Sequence, residues 1–110
     1  MSCDSPDYLP ARYEFPAQVT GDTFQSLSFT IKVNGAAPTS FLTLAVFTFG
    51  TDLTLSSANG GVVIDSAANW VFYIPAFTIG LAPGVHSYQF RTTDEAGVVR
   101  TYLTGTFKVI

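Results

Sequence analysis

From Thr23 onward the chain alternates apolar and polar residues with a period of two. Leu27, Phe29, Ile31 and Val33 are interleaved with Ser26, Ser28, Thr30 and Lys32. This is the pattern of a strand with one face in a core and the other in water. Asn34-Gly35 behind it predicts a turn. Phe41 to Phe49, rich in aromatic and β-branched residues, predicts a second strand that Gly50 closes. Ser56 to Gly61, with Asn59-Gly60-Gly61, predicts a loop or hairpin turn, and Val62 to Asp65 is a short apolar run. Asn69 to Ile74 predicts another strand. Pro75 stops it, because the ring restricts Ile74 and offers no N–H to a ladder. Between Pro75 and Gly84 the spacing of Gly80, Pro83 and Gly84 predicts a crossing loop, with Ile79 and Leu81 as its plug residues.

The C-terminal third is the most regular. Val85 to Thr93 alternates His86, Tyr88 and Phe90 against Ser87, Gln89 and Arg91, and Asp94-Glu95-Ala96-Gly97 predicts a turn. Val98 to Ile110 then returns as a long strand on which Val99, Thr101, Leu103, Gly105, Phe107 and Val109 share one face. A glycine inside such a strand, Gly105, predicts a bulge or a close backbone approach. No stretch keeps helical spacing beyond a turn or two. Six or seven short strands with regular turn signals predict an all-β antiparallel sandwich over residues 23–110.

Residues 1–22 read differently. Pro6, Pro10 and Pro16 forbid a helix and fit poorly in a central strand, yet Tyr8, Leu9, Tyr13 and Phe15 are too apolar for a flexible linker. The segment is expected to be an extended N-terminal arm, either wrapped on its own domain or docked on a neighbouring subunit. Those four side chains are the candidate arm contacts.

The length of 110 residues suits one domain. Composition then adds a constraint: 47% of the chain is hydrophobic and only 12% charged, about half the usual charged share. Between Val33 and Phe90 the charged residues are Asp52 and Asp65 alone. Part of this surface is therefore expected to be covered by a partner. Net charge is −3, and Arg12, Lys32, Arg91, Arg100 and Lys108 are scattered rather than clustered, which disfavours nucleic acid as a ligand. No run of 18 apolar residues suggests a membrane span. The first residues lack the basic start and apolar core of a signal peptide, so synthesis in a cytoplasm without conventional export is expected.

Candidate chemistry is sparse. Cys3 is a lone cysteine and excludes an intramolecular disulfide. One His and one Cys argue against a structural zinc site, and neither Asp4 with Asp7 nor Asp94 with Glu95 has the spacing of a calcium loop. His86 shares a strand face with Tyr88 and Phe90, the setting of a packed or edge histidine, and no Gly-x-Ser-x-Gly elbow is present. No catalytic residue, metal or cofactor is expected. Trp70 and Phe72 fall on one strand face and Tyr73 on the other. They read as core residues or, where exposed, as aromatic platforms for sugar rings, which makes Trp70 and Tyr73 the candidate carbohydrate contacts.

Several short segments occur in a suggestive order: Gly21-Asp22-Thr23-Phe24, Phe29-Thr30-Ile31, Trp70-x-Phe72-x-Ile74-Pro75, Tyr88-x-Phe90-Arg91-Thr92-Thr93-Asp94, Gly97, and Thr101-Tyr102-x-x-Gly105-x-Phe107-x-Val109. In order and spacing, residues 21–110 resemble the small immunoglobulin-like β-sandwich structural proteins of tailed phages and prophages, including the N-terminal domain of baseplate upper proteins. Tyr88, Arg91 and Asp94 keep the family's hairpin spacing. Two features depart from it: Pro38-Thr39-Ser40-Phe41 stands where members often carry Asp-Leu-Thr-Gly, and no fibre-forming extension follows Ile110. The resemblance implies an immunoglobulin-like sandwich of about seven strands and a complete small virion protein. It would be a non-enzymatic subunit of the tail, baseplate or head-tail collar that contacts other virion proteins as a homo-oligomer. The alternative is capsid decoration or a carbohydrate-binding adhesive module.

Overall fold

The computed structural model describes residues 9–110 and the backbone of residues 2–4, and through these run twelve strands and no helix. They are β1 (Ser2–Asp4), β2 (Ala11–Arg12), β3 (Phe15–Gln18), β4 (Thr23–Phe24), β5 (Leu27–Lys32), β6 (Leu42–Phe49), β7 (Leu53–Ser56), β8 (Val63–Ser66), β9 (Val71–Ile74), β10 (Phe77–Thr78), β11 (Gly84–Asp94) and β12 (Val99–Val109). One sheet has the order β1-β5-β9-β8. A second has the order β2-β12-β11-β6-β7, with β3 also along β12, and β4 pairs with β10 as a short ribbon. The pairs β1–β5, β2–β12 and β3–β12 are parallel, and the others are antiparallel. The chain is all-β, as its period-two patterning predicts, with the sheets packed around one core.

Phenylalanines join the sheets. Phe72 of the first sheet stacks on Phe90 of the second with ring centroids 4.6 Å apart, Phe90 lies 4.4 Å from Phe47, and Phe29 lies 5.4 Å from both Phe47 and Phe72. All four are fully buried. Each burial stabilises the fold by about 1.5–3 kcal/mol, and offset or edge-on ring contacts add about 0.5–1.5 kcal/mol per pair. Ile79 and Leu81 close the core from the loop between β10 and β11, the plug positions predicted for them.

Turn chemistry follows the sequence. Asn34 and Gly35 both have positive φ, 51° and 82°, and Val33 and Ala36 exchange backbone hydrogen bonds across them. This is the Asn-Gly geometry that matches the twist of a two-residue hairpin. At the β11–β12 turn, the Asp94 carboxylate accepts the N–H groups of Ala96 and Val98 at 2.9 and 3.0 Å, while Gly97 takes a φ of 80°.

Two expectations change. The strand predicted from Asn69 begins at Val71, because Trp70 adopts a φ of 56° in the preceding turn. That backbone is costly for a bulky residue, about 1–3 kcal/mol. It lets the indole enter the core, where Nε1–H donates to the Ser40 carbonyl at 2.7 Å and the ring meets Tyr102 edge-on at 5.5 Å. Secondly, the single face assigned to Val99 through Val109 is broken. Phe90 pairs with Leu103 but Arg91 with Thr101, so Tyr102 is an extra residue in a bulge. Tyr102 and Leu103 are both buried, whereas Val99 is 61% exposed. The proline-rich segment takes the first of its two expected forms, wrapped on its own domain: β2 and β3 line the edge of β12, and Phe15 is a core residue. Pro16 is tolerated there because an edge strand leaves one row of N–H groups without a ladder partner.

Gly105 marks the close approach. A Cβ built on it would stand 2.0 Å from the Tyr13 carbonyl oxygen, which also accepts a hydrogen bond from the Tyr88 hydroxyl at 2.6 Å. Gly105→Ala is therefore expected to lower stability by about 3 kcal/mol, the upper end of overpacking, in urea or thermal denaturation. Thr92 presents the opposite case. It is buried on the inner face of β11, and its hydroxyl has no partner among the described residues. Thr92→Val removes that orphan at nearly constant shape and should raise stability by about 1 kcal/mol in the same assay.

Candidate binding face on the second sheet

Because Phe47, Tyr88, Phe90, Leu103 and Phe107 point inward, their neighbours on β6, β11 and β12 point out. The registers bring Thr48 opposite Gln89, Gln89 opposite Thr104, and Thr104 opposite Arg12. One row of polar side chains thus crosses four strands. Adjacent strands are about 4.8 Å apart, so the row is about 14 Å long. Ser87, paired with Thr106, flanks it on one side and Arg91 on the other. Together these residues line an open cleft of about 610 Å³.

The edge of this cleft is set by Glu14. Its carboxylate accepts hydrogen bonds from the Thr106 hydroxyl and from the Thr106 N–H at 2.9 Å, and pairs with Arg12 Nε at 2.7 Å. The Thr106 hydroxyl, the largest influence, holds the Glu14 carboxyl below the usual carboxylate range; desolvation opposes it, and the Thr106 N–H and Arg12 add to the lowering. Glu14 is thereby committed to tying the arm to β12. Arg12 also lines the cleft, and Arg91 has no ion pair among the described residues.

No protein-family model and no curated protein matches the chain.

The residues singled out from sequence are dispersed. Tyr8 lies outside the described residues. Leu9 is exposed, and Tyr13 packs half-buried against Phe15 at 5.1 Å and Phe29 at 5.9 Å. Phe15 is corrected from arm contact to core residue: at 5% exposure it meets Phe24, Phe47, Phe49, Tyr88 and Phe107 of its own chain. Trp70 is corrected likewise, since 1% exposure leaves no ring face for a sugar. Tyr73 sits half-buried on the outer face of the first sheet, opposite Ser28 and Val63 and far in register from the polar row. His86 donates from Nε2 to the Ala82 carbonyl at 2.7 Å and presents Nδ1 to Asp52 at 3.9 Å. The adjacent hydroxyl, Ser87, points to the opposite face of β11.

Thr48, Gln89 and Thr104 had no signal of their own in the sequence beyond being the polar half of an alternation. Register alone makes them neighbours.

The Glu14 contacts carry a pH dependence. A depressed folded-state pKa contributes stability that is complete above the unfolded-state value, about 4.3, and is lost as pH falls through the folded-state value. The difference in melting temperature between wild type and Glu14→Gln should therefore be constant from neutral pH to about 4.3, then shrink with further acidification. A difference that persists undiminished at pH 2 would contradict this.

Proposed function

We propose that the chain is an immunoglobulin-like building block of a tailed-phage particle, acting through protein–protein contacts in a symmetric assembly and without catalysis. The observation that carries this reading is apolar exposure at both ends of the second sheet. At the hairpin end, Phe41 is 51% exposed beside Glu95, with which it exchanges backbone and side-chain hydrogen bonds, and Val98 and Val99 are exposed next to it in sequence. At the other end, Val85 is exposed near the start of β11, while Ile110 follows β12 and is hydrogen-bonded to the segment holding exposed Val19. Two distinct apolar ends suit a heterologous contact, in which one end of a copy meets the other end of the next and closure gives a ring.

The strand order supports the immunoglobulin-like part of the reading. The order β5-β9-β8 follows the B-E-D order of that plan, with β1 added parallel to β5, and β12-β11-β6-β7 follows G-F-C with one added edge strand. The resemblance of residues 21–110 to phage sandwich proteins supports the particle. With Phe15 internal, the contacts shift from the arm to the sheet ends.

Light scattering across a range of concentrations tests the assembly. A defined oligomer is expected, and Phe41→Ser combined with Val99→Ser should reduce it to monomer at an unchanged melting temperature. A monomer at every concentration would overturn self-assembly through these ends.

A further inference from the structure

We propose that the outer face of the second sheet binds an acidic oligosaccharide, with Arg12 at one end of the polar row and Arg91 beside Gln89 pairing with its carboxylates, and Thr48, Gln89 and Thr104 hydrogen-bonding its hydroxyls. This is separate from assembly, because the face lies along the strands and the apolar residues lie at their ends.

Charge is the first ground. The chain carries −3 overall, yet the cleft is lined by Arg12 and Arg91, the former paired through Nε with Glu14 at the cleft edge and the latter without an ion pair among the described residues, and Lys108 continues the outward row of β12. The nearest acid, Glu14, is held by Thr106 and Arg12. With Glu14 engaged by Thr106 and Arg12, an anion meets the Arg91 guanidinium and the part of the Arg12 guanidinium not bonded to Glu14, whose planar forks suit carboxylates.

The second ground is the kind of donor. The middle of the row offers hydroxyl and amide groups, those of Thr48, Gln89 and Thr104, whose side chains make no hydrogen bond among the described residues. Such groups both donate and accept, which matches a ligand rich in hydroxyls. An acidic peptide fits less well. The backbone groups of β6, β11 and β12 are engaged within the ladders, so a peptide on this face would find no main-chain partners of the kind a free strand edge provides. The row spans about 14 Å, the length of a short sugar chain rather than of a single ring. Trp70 is buried, so recognition here depends on hydrogen bonds and charge without an aromatic platform.

The test is titration of the purified chain with oligogalacturonate, followed by calorimetry and amide chemical shifts. Uncharged maltohexaose and poly-glutamate serve as comparison ligands. Oligogalacturonate should bind, with shifts centred on Thr48, Gln89 and Thr104, and should weaken as salt is raised. Arg91→Gln and, separately, Gln89→Ala should each weaken it by about tenfold or more while melting temperature stays constant. Maltohexaose should bind far more weakly. Absence of oligogalacturonate binding, or binding unchanged in both variants, would overturn the site. Equal binding of poly-glutamate would overturn the sugar and assign the face to acidic peptides. None of these outcomes depends on the oligomeric state.

Discussion

The contact on which the structure depends is the stack of Phe72 on Phe90, with Phe29 and Phe47 packed around it. It is the place where the two sheets meet, and it fixes more than the core. Side chains alternate along a strand, so burying Phe47 and Phe90 obliges Thr48, Gln89 and Arg91 to face outward. A slip of one residue in any of these strands would place phenylalanine in water and threonine in the core. The apolar constraint inside therefore determines which side chains form the polar row outside.

The N-terminal segment extends this frame. Burial of Phe15 pulls β3 against β12, and the missing side chain at Gly105 leaves room for the Tyr13 carbonyl, which the Tyr88 hydroxyl then binds. Glu14 adds its contacts to Thr106. The result covers an edge of β12 that would otherwise expose a row of unpaired backbone groups. It also delivers Arg12 to the end of the polar row. One small substitution pattern, glycine opposite a tyrosine carbonyl, thus links edge protection to the charge of the cleft.

Low charge takes on a specific meaning once the surfaces are separated. The outer face of the second sheet is neutral and hydroxyl-rich with arginine at its margins, and the apolar residues left in water gather at the strand ends. At the β11–β12 turn, Asp94 works as a backbone acceptor. Under the proposed readings, the protein contacts and the polar ligand would use separate regions, so that engagement of one would leave the other open.

Local pattern in the sequence determined the all-β class, the Asn34-Gly35 and Asp94–Gly97 turns, the plug residues Ile79 and Leu81, and the close approach at Gly105. Each follows from alternation over a few residues or from the φ that a residue type allows, and both are local properties. Tertiary structure alone decided the rest. The bulge at Tyr102 shifts which face Val99 occupies, and nothing in an alternating stretch announces an extra residue until the partner strand is in place. Trp70 accepts an unfavourable φ because its indole finds Ser40, thirty residues away in the chain, and Tyr102. Phe15 is in the core because β12 had a free edge beside it, which the proline-rich sequence around it does not reveal. The row from Thr48 to Arg12 exists only through register, joining residues from four separate strands that share no motif.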